Sequence, residues 1–204
     1  MASIADDPSI EPQKENKMTG LINGLTNLHN SFFSWLTRVT AGWFTGFAAR
    51  FVFASLFPLY YWQSASNKIG DGIFGFLSPS LGAYATIIPP IMEQHGYEPS
   101  AVPFFPWHII VYLGTWTEFI LPALVVLGLF SRIASIGMIG FIFVQSYVDI
   151  TYLGLEEKFI GSMFDRFPDA IIWDQRLLWV FLLVMIIIHG PGKISLDHLL
   201  GRNR

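Results

Sequence analysis

The sequence predicts an all-α membrane protein: a bundle of four transmembrane helices, preceded by an amphipathic helix at the membrane interface. Three observations carry this. The 204-residue chain is 52% hydrophobic and only 13% charged, where soluble domains are roughly 25% charged. Four stretches approach the ~20 apolar residues that a spanning helix needs. The basic residues are shared among the connecting segments as an even number of spans requires.

Residues 1–19 open with acids and prolines rather than a basic region leading into an apolar run. They read as a disordered polar tail and not as a cleavable signal. Over 20–40, Leu21, Leu25, Leu28, Phe32, Leu36 and Val39 recur at helical spacing, with Asn23, Asn27, Asn30, Ser34 and Arg38 on the other side. That pattern predicts an amphipathic helix, and Phe33 and Trp35 suit a headgroup boundary.

The spans fall at about 42–63, 107–130, 133–154 and 170–188. Asp174 and Arg176, in the first turns of the fourth, are placed at the interface. The loop 64–106 is rich in Gly and Pro, and its apolar segment 81–92 is expected to form short helices broken at Pro89–Pro90. The turn around Ser131 is short enough to make spans two and three antiparallel neighbours. In the tail 191–204, Gly190 and Gly192 flank Pro191 where the last span stops, and Ser195 can cap a short helix.

Lys14, Lys17, Arg38, Arg132, Lys193, Arg202 and Arg204 lie on the side of the termini, and Lys68, Lys158, Arg166 and Arg176 on the other. Seven against four places both termini in the cytoplasm. The net charge of −3 and the lack of a basic cluster argue against a nucleic-acid partner. The chain has no cysteine, which excludes disulfides, a thiol relay and Cys-ligated metal clusters. No nucleophile elbow, P-loop or HExxH motif is present. His95 and His108 with Glu93 or Asp149 give no metal-ligand spacing. No catalytic residue, metal ligand or covalent cofactor is assigned, so electron chemistry would belong to a bound molecule or another subunit.

Polar residues inside spans are costly and point to function. At ~1.5 Å per helical residue, Glu118 and Gln145 fall near mid-membrane. His108, Asp149 and Lys68 lie toward the outer face, and Arg50 lies deepest. Trp107 and Trp116 stand on neighbouring stripes of the second span. Two readings of this track stay open. One makes Lys68–Asp149 and Arg50–Glu118 ion pairs that set helix register. The other lines a cavity for a polar-headed, apolar-tailed ligand with Glu118, Gln145, Asp149, His108, Lys68, Arg50, Trp107 and Trp116. A third, ion or proton passage, lacks a path, because Phe119 to Leu124 below Glu118 holds no ionisable residue.

The span ends carry a resemblance. Gly190-Pro191-Gly192-Lys193-Ile194-Ser195-Leu196-Asp197 resembles the Gly-x-Gly-x-x-Ser-Leu-Asp ending of DoxX-type membrane proteins. Arg50 with Lys68 resembles their first span. Glu118 followed by Gly128-Leu129-Phe130-Ser131-Arg132 resembles their second. The match covers roughly residues 48–197. It implies a four-span bacterial inner-membrane protein, an accessory subunit of a larger quinone-linked redox or respiratory complex, with a quinone or lipid as its bound ligand. The segment 20–40 and the two longer outer loops depart from the compact pattern and favour partner contacts.

Overall fold

The structure, a computed structural model, describes residues 11–70, 72 and 74–202, with side chains from residue 18 on. It is all-helical. The helices are α1 (Glu11–Thr40), α2 (Phe44–Ser66), α3 (Leu81–Ile87), α4 (Pro89–Gln94), α5 (Ile109–Leu127) and α6 (Ser131–Thr151). They continue with α7 (Glu157–Ile160), α8 (Leu177–His189) and α9 (Leu196–Leu199). The chain divides into two units at Ala41 and Gly42.

The first unit is α1. Its helix takes in residues 11–19, so the polar tail read from the sequence ends earlier than expected, and residues 1–10 lie outside the described part. Glu11, Gln13, Lys14, Glu15 and Lys17 are good helix formers, which polarity alone had masked. Leu21, Leu25, Leu28, Phe32 and Val39 are all exposed, so the apolar stripe finds no cover within this unit.

In the second unit α2 packs on α5 and α8, and α6 packs on the same two helices. α2 presents Ala49, Phe53, Phe57, Tyr61 and Ala65 inward at a spacing of four, the ridge along which helices interdigitate. Val125, Ala134, Met138, Ile142, Leu183 and Ile186 complete that core. A second core lies where α3 and α4, broken at Ile88 before Pro89, fold against Val111 and Val102.

Three helical stretches are long and apolar enough to cross a membrane: Phe104–Leu127, Ser131–Thr151 and Ile171–His189. Counting α2 with the helix before it brings the number to four. Their mean hydropathies reach 1.8, 1.6 and 2.1, yet only 28%, 22% and 22% of those windows is buried within the protein. Apolar helices that expose most of their surface need an apolar solvent, so the chain is compatible with a multi-pass membrane protein.

At one end of this unit the chain is tied by two side chains. Arg50 donates from Nε to Val125 O at 3.0 Å and from Nη1 to Pro191 O at 3.0 Å, and it also reaches Ile194 O and Val126 O. It therefore adds donors to carbonyls at the end of α5, where Val125 O also receives Gly128 N–H at 3.1 Å. Gly128 closes α5 with φ +65°, and a Cβ there would stand 2.6 Å from Ser195 Cβ and 2.8 Å from Arg50 Cζ. Asp197 receives Phe130 N–H at 2.8 Å, Ser131 N–H at 2.9 Å and the Ser131 hydroxyl at 2.6 Å, capping the start of α6. The tail expected after the fourth span is thus a structural tie. Gly46 on α2 serves packing, since a Cβ there would lie 1.9 Å from Gly190 O.

Burial pushes the Asp197 carboxyl up, but the Ser131 and Phe130 donors and the Arg202 charge hold it below its ordinary value. A lowered folded value means that its stabilising contribution is complete above the unfolded carboxylate range, near pH ~4, and is lost as pH falls through the folded value. Asp197→Asn replaces one acceptor oxygen with an NH2 donor. It should cost about 1–3 kcal/mol at pH 7. Melting curves in detergent at pH 7 and pH 3 should show a smaller acid loss in Asp197→Asn than in the wild type, and parallel losses would contradict this role.

Candidate functional site

A cleft of about 610 Å³ opens between α5 and α6 at the end opposite the Arg50 tie, with α2 and α3 behind it. Small residues make the room: Gly114 on α5, and Gly137 and Gly140 on α6, line it. A Cβ on Gly140 would meet nothing within 4 Å. Leu113 and Val144 are exposed at the rim, so the cleft opens sideways along apolar surface. A second groove of about 670 Å³ between α2 and α8 is walled by Val52, Leu56, Phe57, Leu178 and similar side chains and has little polar content.

The α5–α6 cleft has a polar floor. Lys68 Nζ pairs with Glu118 Oε1 and donates to Ser64 Oγ at 3.2 Å. The Glu118 side chain is 3% exposed, and its Oε2 is buried with no hydrogen-bond partner. Gln145 Oε1 is likewise buried and unpartnered. One turn on, Asp149 Oδ2 pairs with Arg176 Nη2, and Arg176 Nη1 donates to Ser146 Oγ at 2.8 Å.

The polar track of the sequence is thus partly assembled. Glu118, Gln145, Asp149 and Lys68 all line the cleft. Four other expected residues stand elsewhere. Arg50 is at the opposite end, held by main-chain carbonyls. His108 is braced between the Tyr84 hydroxyl at 2.7 Å and Val102 O at 3.1 Å. That arrangement fixes the ring to donate from Nε2 and accept at Nδ1. Trp107 packs in the core under α3 and α4. Trp116 donates from Nε1 to Phe76 O at 2.7 Å.

The expected pairs are corrected as well. Lys68 holds Glu118 rather than Asp149, and Glu118 does not meet Arg50. Asp149 takes Arg176, which the sequence reading had left at the interface. Height along a helix does not decide a pair, because pairing also needs lateral neighbours. α2 borders α5, and α6 borders α8, so Lys68 can reach Glu118 and Arg176 can reach Asp149. Arg176 is 4% exposed. Its signal in the sequence was a cation beside the purely apolar run 177–188, where a lone arginine needs an acid at its own height.

No protein-family model, curated protein or solved structure matches the chain. Among the described residues, no group of three or more His, Asp or Glu gathers as a metal site. What the arrangement offers is an apolar-walled pocket with a hydrogen-bonding, charge-balanced floor, the usual make-up of a site for an amphiphilic small molecule.

Breaking one member of a buried pair leaves an uncompensated charge, at about 3–5 kcal/mol. Lys68→Met alone should therefore destabilise strongly, and Lys68→Met with Glu118→Leu should recover most of the loss. Thermal unfolding of the two single variants and the double variant in one detergent measures this. Additive losses would show that the pair is not coupled.

Proposed function

We propose that the chain is a DoxX-like, four-span accessory subunit of the bacterial inner membrane, belonging to a quinone-linked redox or respiratory assembly. In this reading it holds a quinone or lipid in the α5–α6 cleft. The observation that carries the reading is the cleft itself. A lateral opening with apolar walls ends on Glu118 and Gln145, each with a buried oxygen left without a partner. The assembly and its quinone link rest on the resemblance of the span ends. The cytoplasmic placing of both termini rests on the distribution of Lys and Arg. The exposed apolar stripe of α1 supports its lying in the headgroup region.

A second reading, a structural or assembly subunit without ligand, is favoured by the two ion pairs. Each closes between neighbouring helices without help from outside.

Extraction separates the two. Purified in mild detergent, the wild type should carry a quinone or lipid in stoichiometric amount by mass spectrometry. Gly140→Leu, which places a side chain in the cleft where a Cβ meets nothing within 4 Å, should carry at least several-fold less while still unfolding cooperatively. A wild type with no retained ligand would favour the structural subunit.

A further inference from the structure

The hydrogen-bonding groups in the cleft describe the head of its ligand. Glu118 Oε2 and Gln145 Oε1 are buried without partners, and both residues line the cleft. An ion-paired carboxylate can only accept, and a charged group left unsatisfied costs more than a neutral one. Donors on the cleft wall, Lys68, the Gln145 amide and the Thr117 hydroxyl among them, serve a hydroxyl oxygen as well as a carbonyl, so the acceptor-only Glu118 oxygen is what tells the two apart. Lys68 holds Glu118 and Ser64, and the one N–H it has left serves a hydroxyl oxygen as well as a carbonyl. His108 is closed by Tyr84 and Val102 away from the cleft. Arg176 Nε is also buried without a partner, but Arg176 lies outside the cleft wall.

Charge narrows the choice further. Glu118 and Asp149 are each neutralised by one cation, Lys68 and Arg176. No positive charge is left over for a phosphate, and two carboxylates at the floor would oppose one.

We propose that the cleft selects an uncharged amphiphile whose head donates hydrogen bonds through hydroxyls, over its carbonyl counterpart and over phospholipids. The inference rests on the cleft being a ligand site. Two sources share this chemistry, a hydroquinone with an apolar tail and a glycerolipid with a free hydroxyl.

The test uses the full chain in phosphatidylcholine nanodiscs, whose lipid has no hydroxyl. It is titrated anaerobically with decylubiquinol and decylubiquinone, and separately with dioctanoylglycerol. The quinol should bind about tenfold more tightly than the quinone, the worth of one hydrogen bond to a charged acceptor. Glu118→Gln, which makes that acceptor a neutral amide, should bring the ratio close to one, and Gly140→Leu should abolish binding of every probe. Binding of dioctanoylglycerol but of neither quinone form would support the head-group selection and assign a glycerolipid. Equal binding of the two quinone forms, or tighter binding of the quinone, would overturn the selection while leaving the cleft as a site. Failure of all three probes to bind would overturn both.

Discussion

The fold hangs on Arg50, a cation inside a helix bundle that is held by main-chain carbonyls instead of an acid. Helix ends leave their last carbonyls without donors, and the negative end of the helix dipole attracts a cation there. Arg50 reaches Val125 and Val126 at the end of α5, and Pro191 and Ile194 in the chain after α8. One side chain on α2 thereby joins two other helices. Asp197 adds the opposite polarity by capping the start of α6. With Gly128 leaving space for both, α2, α5, α6 and the chain after α8 are tied at one end. At the other end Gly114, Gly137 and Gly140 line the cleft between α5 and α6.

This division of labour explains which parts were legible in the sequence. Apolar runs and basic residues are properties of single segments, so the span positions came within a few residues of the helices. Glu118 stood out for the same reason, as a charge in an apolar run, and it lines the cleft with Lys68 from the loop after the first span. The partner of each charge was not legible, because it depends on the order of helices around the bundle. Helical rise supplies a height but no bearing. Arg50 illustrates the limit. Its position suggested an acidic partner, but a run of unsatisfied carbonyls can serve an arginine equally well, and no residue type in the sequence announces them.

The motif after the last span has a similar lesson. Gly190, Gly192, Ser195 and Asp197 resemble a family ending, and each has a packing role visible without any relative. Gly192 lies where a Cβ would come 2.6 Å from Trp43 O. Ser195 accepts from His198 N–H at 3.1 Å and donates to Gly192 O at 2.8 Å. Such a motif reports how the helices are tied, and says nothing of a ligand. Any argument about what binds must therefore come from the other end of the molecule.

There the question is whether the ion pairs are glue or floor. Glue asks only that charges be paired and the helices packed tightly around them. The Lys68–Glu118 and Asp149–Arg176 pairs satisfy the first condition, but the α5–α6 seam does not satisfy the second. Gly140 is exposed on α6, and a Cβ there would meet nothing within 4 Å. Beneath it, carboxylate and amide oxygens stay unpartnered in a setting where such atoms are expensive. An occupant with a hydroxyl head would supply donors to those oxygens while its apolar tail lay along the walls. The unpartnered oxygens of Glu118 and Gln145 on the cleft wall are what favour the floor over the glue.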